Sequence, residues 1–459
     1  MIPVALVLNS CGSGSTKQQA GKADDSMEKE YQVKLITVDP GHFHAALVQK
    51  SMYDQVAPDV YVYAPEGPDV TQHLGRIASY NSRAANPTIW NEIVHNGNDF
   101  FEKMIAEKNG NVVVLSGNNG KKGDYISRSV TAGLNVLADK PMIIRTEDFP
   151  VLVNSFKTAE EKGVLLYDIM TERYEVTTIL QKLLSQKPEI FGSLKEGTAE
   201  EPAVTKISVH HFSKIVSGSP LLRPSWFFDT DQQGEGIVDV TTHLVDLVQW
   251  ECFPEQILKP EDVTLVAARR WPTIITPDQF RGVTGLDKFP DYLQKDIKDG
   301  SLNVFANGEI IYKLKGVFAK VSVTWNYQAP PGGGDTHYSV MHGTLCDLVI
   351  RQGAGEKFRP TLYVENIKSS EAAGFEARLK AAIAALPYDS LQVEANGKGS
   401  FKIDVPTGYR VSHEEHFGQV MAKYLEYLKE GKLPDWEIQG MITKYYTTTG
   451  ALKLAEESK

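Results

Sequence analysis

Short β-branched runs separated by polar turns set the texture of the first third of the chain. Tyr31 to Val38, Val60 to Ala64, Val112 to Leu115, Asn135 to Asp139 and Val164 to Asp168 each read as a strand, and the last three have the near-continuous apolar character of strands buried on both faces. Between them, His44 to Gln55, Asp99 to Glu107, Asp124 to Gly133 and 147–162 read as helices, while Pro65 to Asn98 is a polar, Pro/Asn-rich connection. Strand alternating with helix over this length predicts a doubly wound parallel sheet.

From about Ala203 the period changes. Val317, Ala319, Val321, Val323 and Trp325 alternate with polar Lys320, Ser322 and Thr324, the pattern of a half-solvated antiparallel strand. Asn307-Gly308 lies between two apolar pairs and predicts a hairpin turn. Residues 330–334 form a Pro/Gly loop, and Tyr338 to Ile350 supplies a further strand or pair. The C-terminus returns to helix: Ser412 with Glu415 fits a capping box before a 3.6-period apolar face ending at Gly431, and a last helix covers Ile438 to Glu457. The divisions predicted are a leader and tether over 1–30, a nucleotide-type α/β domain over 31–170, and an α+β domain over 171–459 with a large, mostly antiparallel open sheet and terminal helices.

The chemistry gathers in two places. Gly234 to Trp250 reads as a helix that is apolar nearly all round, broken by Asp239, His243 and Asp246 at i, i+4 and i+7. Ionisable groups on so apolar a helix need a polar cavity or bonded partners, so the stripe predicts one wall of a site, with Asp246 assigned a structural role. Ser116-Gly117-Asn118-Asn119 and Asp139-Lys140-Pro141 fall at the carboxyl ends of two parallel strands, where open α/β sheets bind ligands.

Composition narrows the partners. The 459 residues carry a net charge of −10 spread along the chain, with no basic run, which excludes the usual electrostatic footprint of nucleic-acid binding. Three cysteines make neither a disulfide framework nor a metal knuckle, and no apolar stretch is long enough to span a bilayer. Histidines at 42 and 44, 210 and 211, and 413 and 416 lack the H-E-x-x-H spacing, so no metal site is predicted; on a strand His210 and His211 point to opposite faces, so at most one should reach a pocket. The N-terminus is a short apolar run leading to Leu8-Asn9-Ser10-Cys11, which resembles a bacterial lipoprotein cleavage box with Cys11 as the lipidated residue. The expected location is the periplasm or outer membrane, the alternative a cytoplasmic protein with a ragged start.

The run Val112 to Pro141 resembles the glucose–fructose oxidoreductase, inositol dehydrogenase and MocA (Gfo/Idh/MocA) family: Gly133 precedes a strand ending in Asp139-Lys140-Pro141, similar to the family's Glu-Lys-Pro, and Asp239 with His243 matches its Asp-x-x-x-His. The resemblance implies an N-terminal Rossmann domain, a C-terminal α+β domain, NAD or NADP between them, and a homo-oligomer. It further implies Lys140, Asp239 and His243 as catalytic residues, with Gly41, His42, Phe43, His44, Ser116, Gly117, Asn118, Asn119, Asp139, Lys140 and Pro141 about the cofactor. Tyr174, Lys214, Arg223 and Trp226 lie in segments that could border a small carbohydrate. The sequence departs from the family at the nucleotide turn, where only Gly41 of a G-x-G-x-x-G/A loop survives, and at the ribose-binding acid, for which only Glu66 is offered. The expected function is oxidation of a hydroxyl of a sugar, glycoside or polyol with a tightly held nicotinamide. The alternatives are a redox-neutral NAD-dependent glycosidase of the same family and a non-enzymatic carbohydrate-binding lipoprotein.

Overall fold

The computed structural model describes residues 32–216, 219–397 and 399–458, so Cys11 and the 1–30 tether lie outside the described residues. Strands β1 (Leu35–Val38), β2 (Asp59–Ala64), β3 (Asn91–Asn96), β4 (Val112–Leu115), β5 (Asn135–Asp139) and β6 (Leu166–Ile169) form one sheet, ordered β3-β2-β1-β4-β5-β6 and parallel throughout. The order reverses between β1 and β4, and this switch point opens a crevice beyond their carboxyl ends. β4 is buried along its whole length, as its Val-Val-Val-Leu run requires.

The second sheet has ten strands, antiparallel except where β7 (Val204–Ser213) runs parallel to Val317–Gln328. Helices Val176–Ser185, Thr241–Cys252 and Phe375–Ala384 cover one face, burying Leu180, Leu184, Val245, Val248 and Leu379 against Ile310, Val321, Leu348 and Val364. Among the described residues no helix is long and apolar enough to cross a membrane.

The two C-terminal helices divide their packing. Phe417, Val420, Met421 and Tyr424 of His413–Glu430, with Met441 and Tyr445 of Asp435–Glu457, join the core built by β1, β4, β5 and β6. Ala451 and Leu452, farther along the last helix, join the core of the large sheet. The chain's end therefore belongs to both layers.

Several expected elements differ. Asn307 and Gly308 lie inside the 14-residue strand Ser301–Leu314, and the reversal falls at Lys315-Gly316. Asn307 replaces missing ladder bonds with its amide, donating to Trp271 O at 2.9 Å and accepting from Trp325 N at 2.7 Å. Gly308 is required because a Cβ there would stand 2.6 Å from Ile237 Cβ. The helix after β1 is only His44–Leu47, since the next carbonyls are taken by side chains: Val48 O by Tyr53, Gln49 O by Trp90 and Lys50 O by Arg83. Finally, the polar 65–98 stretch contains the helix Pro68–Ser82 and edge strand β3, whose exposed faces leave no apolar period to read.

Candidate active site

β5 delivers Lys140 to the crevice, and the Lys140–Pro141 bond that follows is cis. The turn that carries it is held by Lys122, which is 1% exposed and donates to Asn119 Oδ1 at 2.6 Å, Asp139 O at 2.8 Å and Pro141 O at 3.1 Å. Burial lowers the Lys122 ammonium to about 8. From β4, Asn118 caps the helix Asn119–Thr131 by accepting from Gly120 N at 3.0 Å. Its amide donates to Gln232 Oε1 at 2.7 Å, and that of Asn119 to Gln233 O at 2.7 Å, tying the β4 turn to the segment that carries Asp239.

Asp239 precedes the helix rather than sitting on it. The helix begins at Thr241, and residues 236–240 form a turn whose Gly236 lies so close to the large sheet that a Cβ would stand 1.8 Å from Ala306 O. Lys140 Nζ donates to Asp239 Oδ1 at 2.5 Å, and Gln233 Nε2 donates to Asp239 Oδ2 at 3.2 Å. His42, Gly117, Asn119, Asp139 and Gln233 line the same small cavity. His243, one turn along, has a buried Nδ1 without a hydrogen-bond partner among the described residues. Burial, and secondly the Lys140 charge, hold its imidazole well below the usual value, so it is neutral at working pH.

Asp139 organises the other side. Its Oδ2 accepts from Ser116 Oγ at 3.0 Å and from His44 Nδ1 at 3.0 Å, which places the His44 proton on Nδ1 because a carboxylate only accepts. His42 stacks on Phe43 with centroids 4.7 Å apart, and its Nδ1 accepts from His44 N at 3.3 Å. Burial keeps both imidazoles neutral. Ring nitrogens of His42 and His44 and a carboxylate oxygen of Asp139 lie within 4.8 Å of one another, much closer than the spacing of these residues in the chain implies.

The substrate-side candidates separate. Tyr174 packs against the first core, where burial raises its hydroxyl to about 12; Glu172, from the same short helix, sits in the field of Lys140 and Lys214 instead. Arg223 is buried and structural: Nε donates to Phe212 O at 2.8 Å and an Nη to His211 O at 3.0 Å, with Phe227 and Trp325 against its guanidinium plane. Burial lowers it to about 10. Lys214 is partnered by Asp335 at 2.7 Å. His210 and His211 both reach that same carboxylate, at 3.2 and 3.1 Å, because Asp335 curls over the end of β7 from the preceding Gly-rich loop. Trp226 donates its Nε1 to Asp69 Oδ2 at 2.8 Å, and both lie on Gly41, where a Cβ would stand 2.8 Å from the indole and 2.9 Å from the carboxylate.

That last contact bears on a dinucleotide. The crevice, the Lys140–Asp239 pair and the orphan His243 Nδ1 fit the nicotinamide end. The diphosphate end lacks the usual cradle: Gly41 N bonds Asp39 O and His42 N bonds Ser116 O, so neither amide is presented, and Glu66 is exposed beyond β2 while Asp69 stands nearer the turn.

Asp246 belongs to a different set. It accepts from Arg173 Nε at 2.6 Å and Lys444 Nζ at 2.8 Å, while Arg173 also bonds Glu437 at 2.8 Å and Lys444 bonds Asp168 at 2.7 Å. This buried network joins β6, the 241–252 helix and the last helix. Lys122, Gln233 and Asp335 were not singled out from sequence, since lone polar residues outside a motif carry no signal of burial; Glu172 and Arg173 were read only as part of the segment leaving the nucleotide domain.

Residues 180–456 match the family described as "Putative oxidoreductase C terminal domain". The chain is similar to the crystal structure of a putative oxidoreductase from Parabacteroides merdae, with 55% identity and TM-score 0.91, covering 93% of this chain and 98% of that one. It shares its fold with a 3-ketoreductase from Actinomadura kijaniata in complex with NADP (11% identity, TM-score 0.52, 90% and 94% covered). The same holds for a levoglucosan dehydrogenase in complex with NADH (10% identity, TM-score 0.59, 93% and 97% covered). No curated protein matches the chain.

Proposed function

The chain belongs to the putative oxidoreductase C-terminal domain family, and from that premise we propose that it oxidises a hydroxyl of a sugar, glycoside or polyol, passing hydride to a tightly held NAD or NADP. The observation that carries this reading is the meeting of Lys140 from one sheet with Asp239 from the other layer, ammonium and carboxylate 2.5 Å apart, with His243 within the field of the Lys140 charge. Fold likeness to an NADP-bound ketoreductase and an NADH-bound dehydrogenase supports the cofactor class.

Nicotinamide, when bound, supplies the hydride acceptor. Lys140 donates to the substrate oxygen and stabilises the negative charge that develops there as its proton leaves. His243 is neutral, so one ring nitrogen is free to take that proton, and the imidazolium formed is favoured by the Asp139 and Asp246 carboxylates. Asp139 acts through the turn, fixing His44 and Ser116 beside the cofactor position. Every protein charge needed is already in place, so little reorganisation accompanies turnover.

Export as a lipoprotein anchored through Cys11 fits this scheme, because a compartment without a diffusible nicotinamide pool requires a retained cofactor. A homo-oligomer is proposed on the exposed Val266 and Ile274 of the large sheet's edge strand. The deciding experiment is to denature the purified protein and identify released nucleotide by mass spectrometry, followed by nucleotide titration of the stripped protein. NAD or NADP in either assay, with sugar-dependent reduction, supports the oxidoreductase. Release of an aglycone without net reduction selects the redox-neutral glycosidase. Sugar affinity with no nucleotide bound in either assay overturns the proposal in favour of a carbohydrate-binding protein, the reading that the covered Gly41 would favour.

A further inference from the structure

The far side of the cleft carries a charge pair that the proposed chemistry does not use. Resting on the sugar-oxidising reading above, we propose that Asp335 is a specificity-determining residue, neutralising Lys214 so that the cleft accepts uncharged sugars and polyols and rejects sugar acids and sugar phosphates.

The geometry gathers three donors on one carboxylate. Asp335 accepts from Lys214 Nζ at 2.7 Å, His210 Nδ1 at 3.2 Å and His211 Nδ1 at 3.1 Å, at the carboxyl end of β7. Lys214 and Asp335 remain 27% and 26% exposed, so the pair fronts open space, unlike the buried network around Asp246. Continuity with the reacting centre runs through aromatic and imidazole contacts: His210 stacks on Trp325 at 5.0 Å, Trp325 packs on Phe227 at 5.7 Å, and Phe227 lies 6.5 Å from His42. From the other direction His44 lies 6.1 Å from His413, whose Nδ1 is 3.4 Å from Glu172.

Charge decides what this surface can hold. Among the described residues named here, every cation is committed. Lys140 is paired with Asp239, Lys214 with Asp335, Lys122 donates to three oxygens, and Arg223 to two carbonyls. A carboxylate or phosphate on the substrate would have to break one of these pairs and leave its own partner unpaired. Neutral hydroxyls meet no such conflict, since carboxylate oxygens accept from them and imidazoles serve either role.

The experiment compares a methyl glucoside with the matching methyl glucuronide in the parent, Asp335→Asn, Lys214→Met and the double variant. The expected result is that the parent favours the glucoside by about tenfold or more, that Asp335→Asn shifts the ratio of kcat/KM toward the glucuronide by about tenfold or more, and that adding Lys214→Met abolishes the shift. A parent that uses the glucuronide as well as the glucoside, or an Asp335→Asn that weakens both alike, overturns the proposal. Affinity is read in parallel from tryptophan fluorescence, Trp325 being in contact with His210. A parent that binds both sugars but turns over neither removes the oxidoreductase reading, and the ratio of affinities still judges this one by the same criterion.

Discussion

Two carboxylates seven residues apart, Asp239 and Asp246, start from similar sequence surroundings and end in opposite conditions. Asp246 is 1% exposed and accepts from both Arg173 and Lys444, which hold it well below the usual carboxylate range against the opposing effect of burial. Asp239 has one ammonium and one amide, and His243, one turn along, keeps a buried nitrogen without a partner among the described residues. A buried polar group that is fully satisfied holds the architecture together; one left with spare capacity is held ready for something that arrives. The difference lies in the number of donors supplied by other segments, which the local sequence does not contain.

Breaking each side should give opposite signatures. The largest effect is expected at the cleft: Lys140→Met or His243→Asn should lower kcat/KM of the folded protein by roughly a thousandfold. A variant retaining a tenth of parent turnover would remove the residue from the chemistry. On the other side, Arg173→Met should destabilise by about 3–5 kcal/mol, because it leaves Asp246 and Glu437 buried with fewer partners. Denaturant melts measure the loss, and turnover of the fraction still folded should be near parental.

A third test concerns the nucleotide turn. Gly41→Ala must displace the Trp226 indole or the Asp69 carboxylate, at a cost of about 1–3 kcal/mol. Trp226→Ala should be less affected by the added methyl, giving a coupling energy of about 1 kcal/mol in a double-mutant cycle. Additive effects would mean that the two residues do not meet in solution. The smallest expected effect is a titration. His243 needs to be neutral to accept a proton, and activity is lost as pH falls through its value. Because that value is lowered, the acid limb should lie below pH 6.5. Since the Lys140 charge is the second cause of the lowering, Lys140→Met should move the His243 titration upward, read by NMR of the labelled imidazole. An unchanged titration would place the ammonium too far away to act.

The parallel sheet was legible because buried strands announce themselves, as Val112 to Leu115 does, and Lys140 and Asp239, which meet across the crevice, could be picked out because each stands in a motif. What was hidden has physical reasons. β3 carries no apolar period because both its faces are exposed. Asn307-Gly308 looked like a turn since nothing nearby reveals that Ile237 presses on Gly308 and that Trp325 needs the Asn307 carbonyl oxygen. His210 and His211 were separated by strand geometry, yet a carboxylate arriving from a loop bridges both. Lys122 and Asp335 are lone charges in polar stretches, and only the fold shows what surrounds them.

The placement of Tyr424 and Tyr445 among the side chains of the first sheet has a consequence for how the molecule is made. The first sheet lacks part of its interior until the helices at 413–430 and 435–457 have emerged from the ribosome, so it has to wait, incompletely covered, for residues synthesised much later. A shortened gene product ending before residue 413 would expose an oily flank of its earliest-made layer and should be recovered in the insoluble fraction.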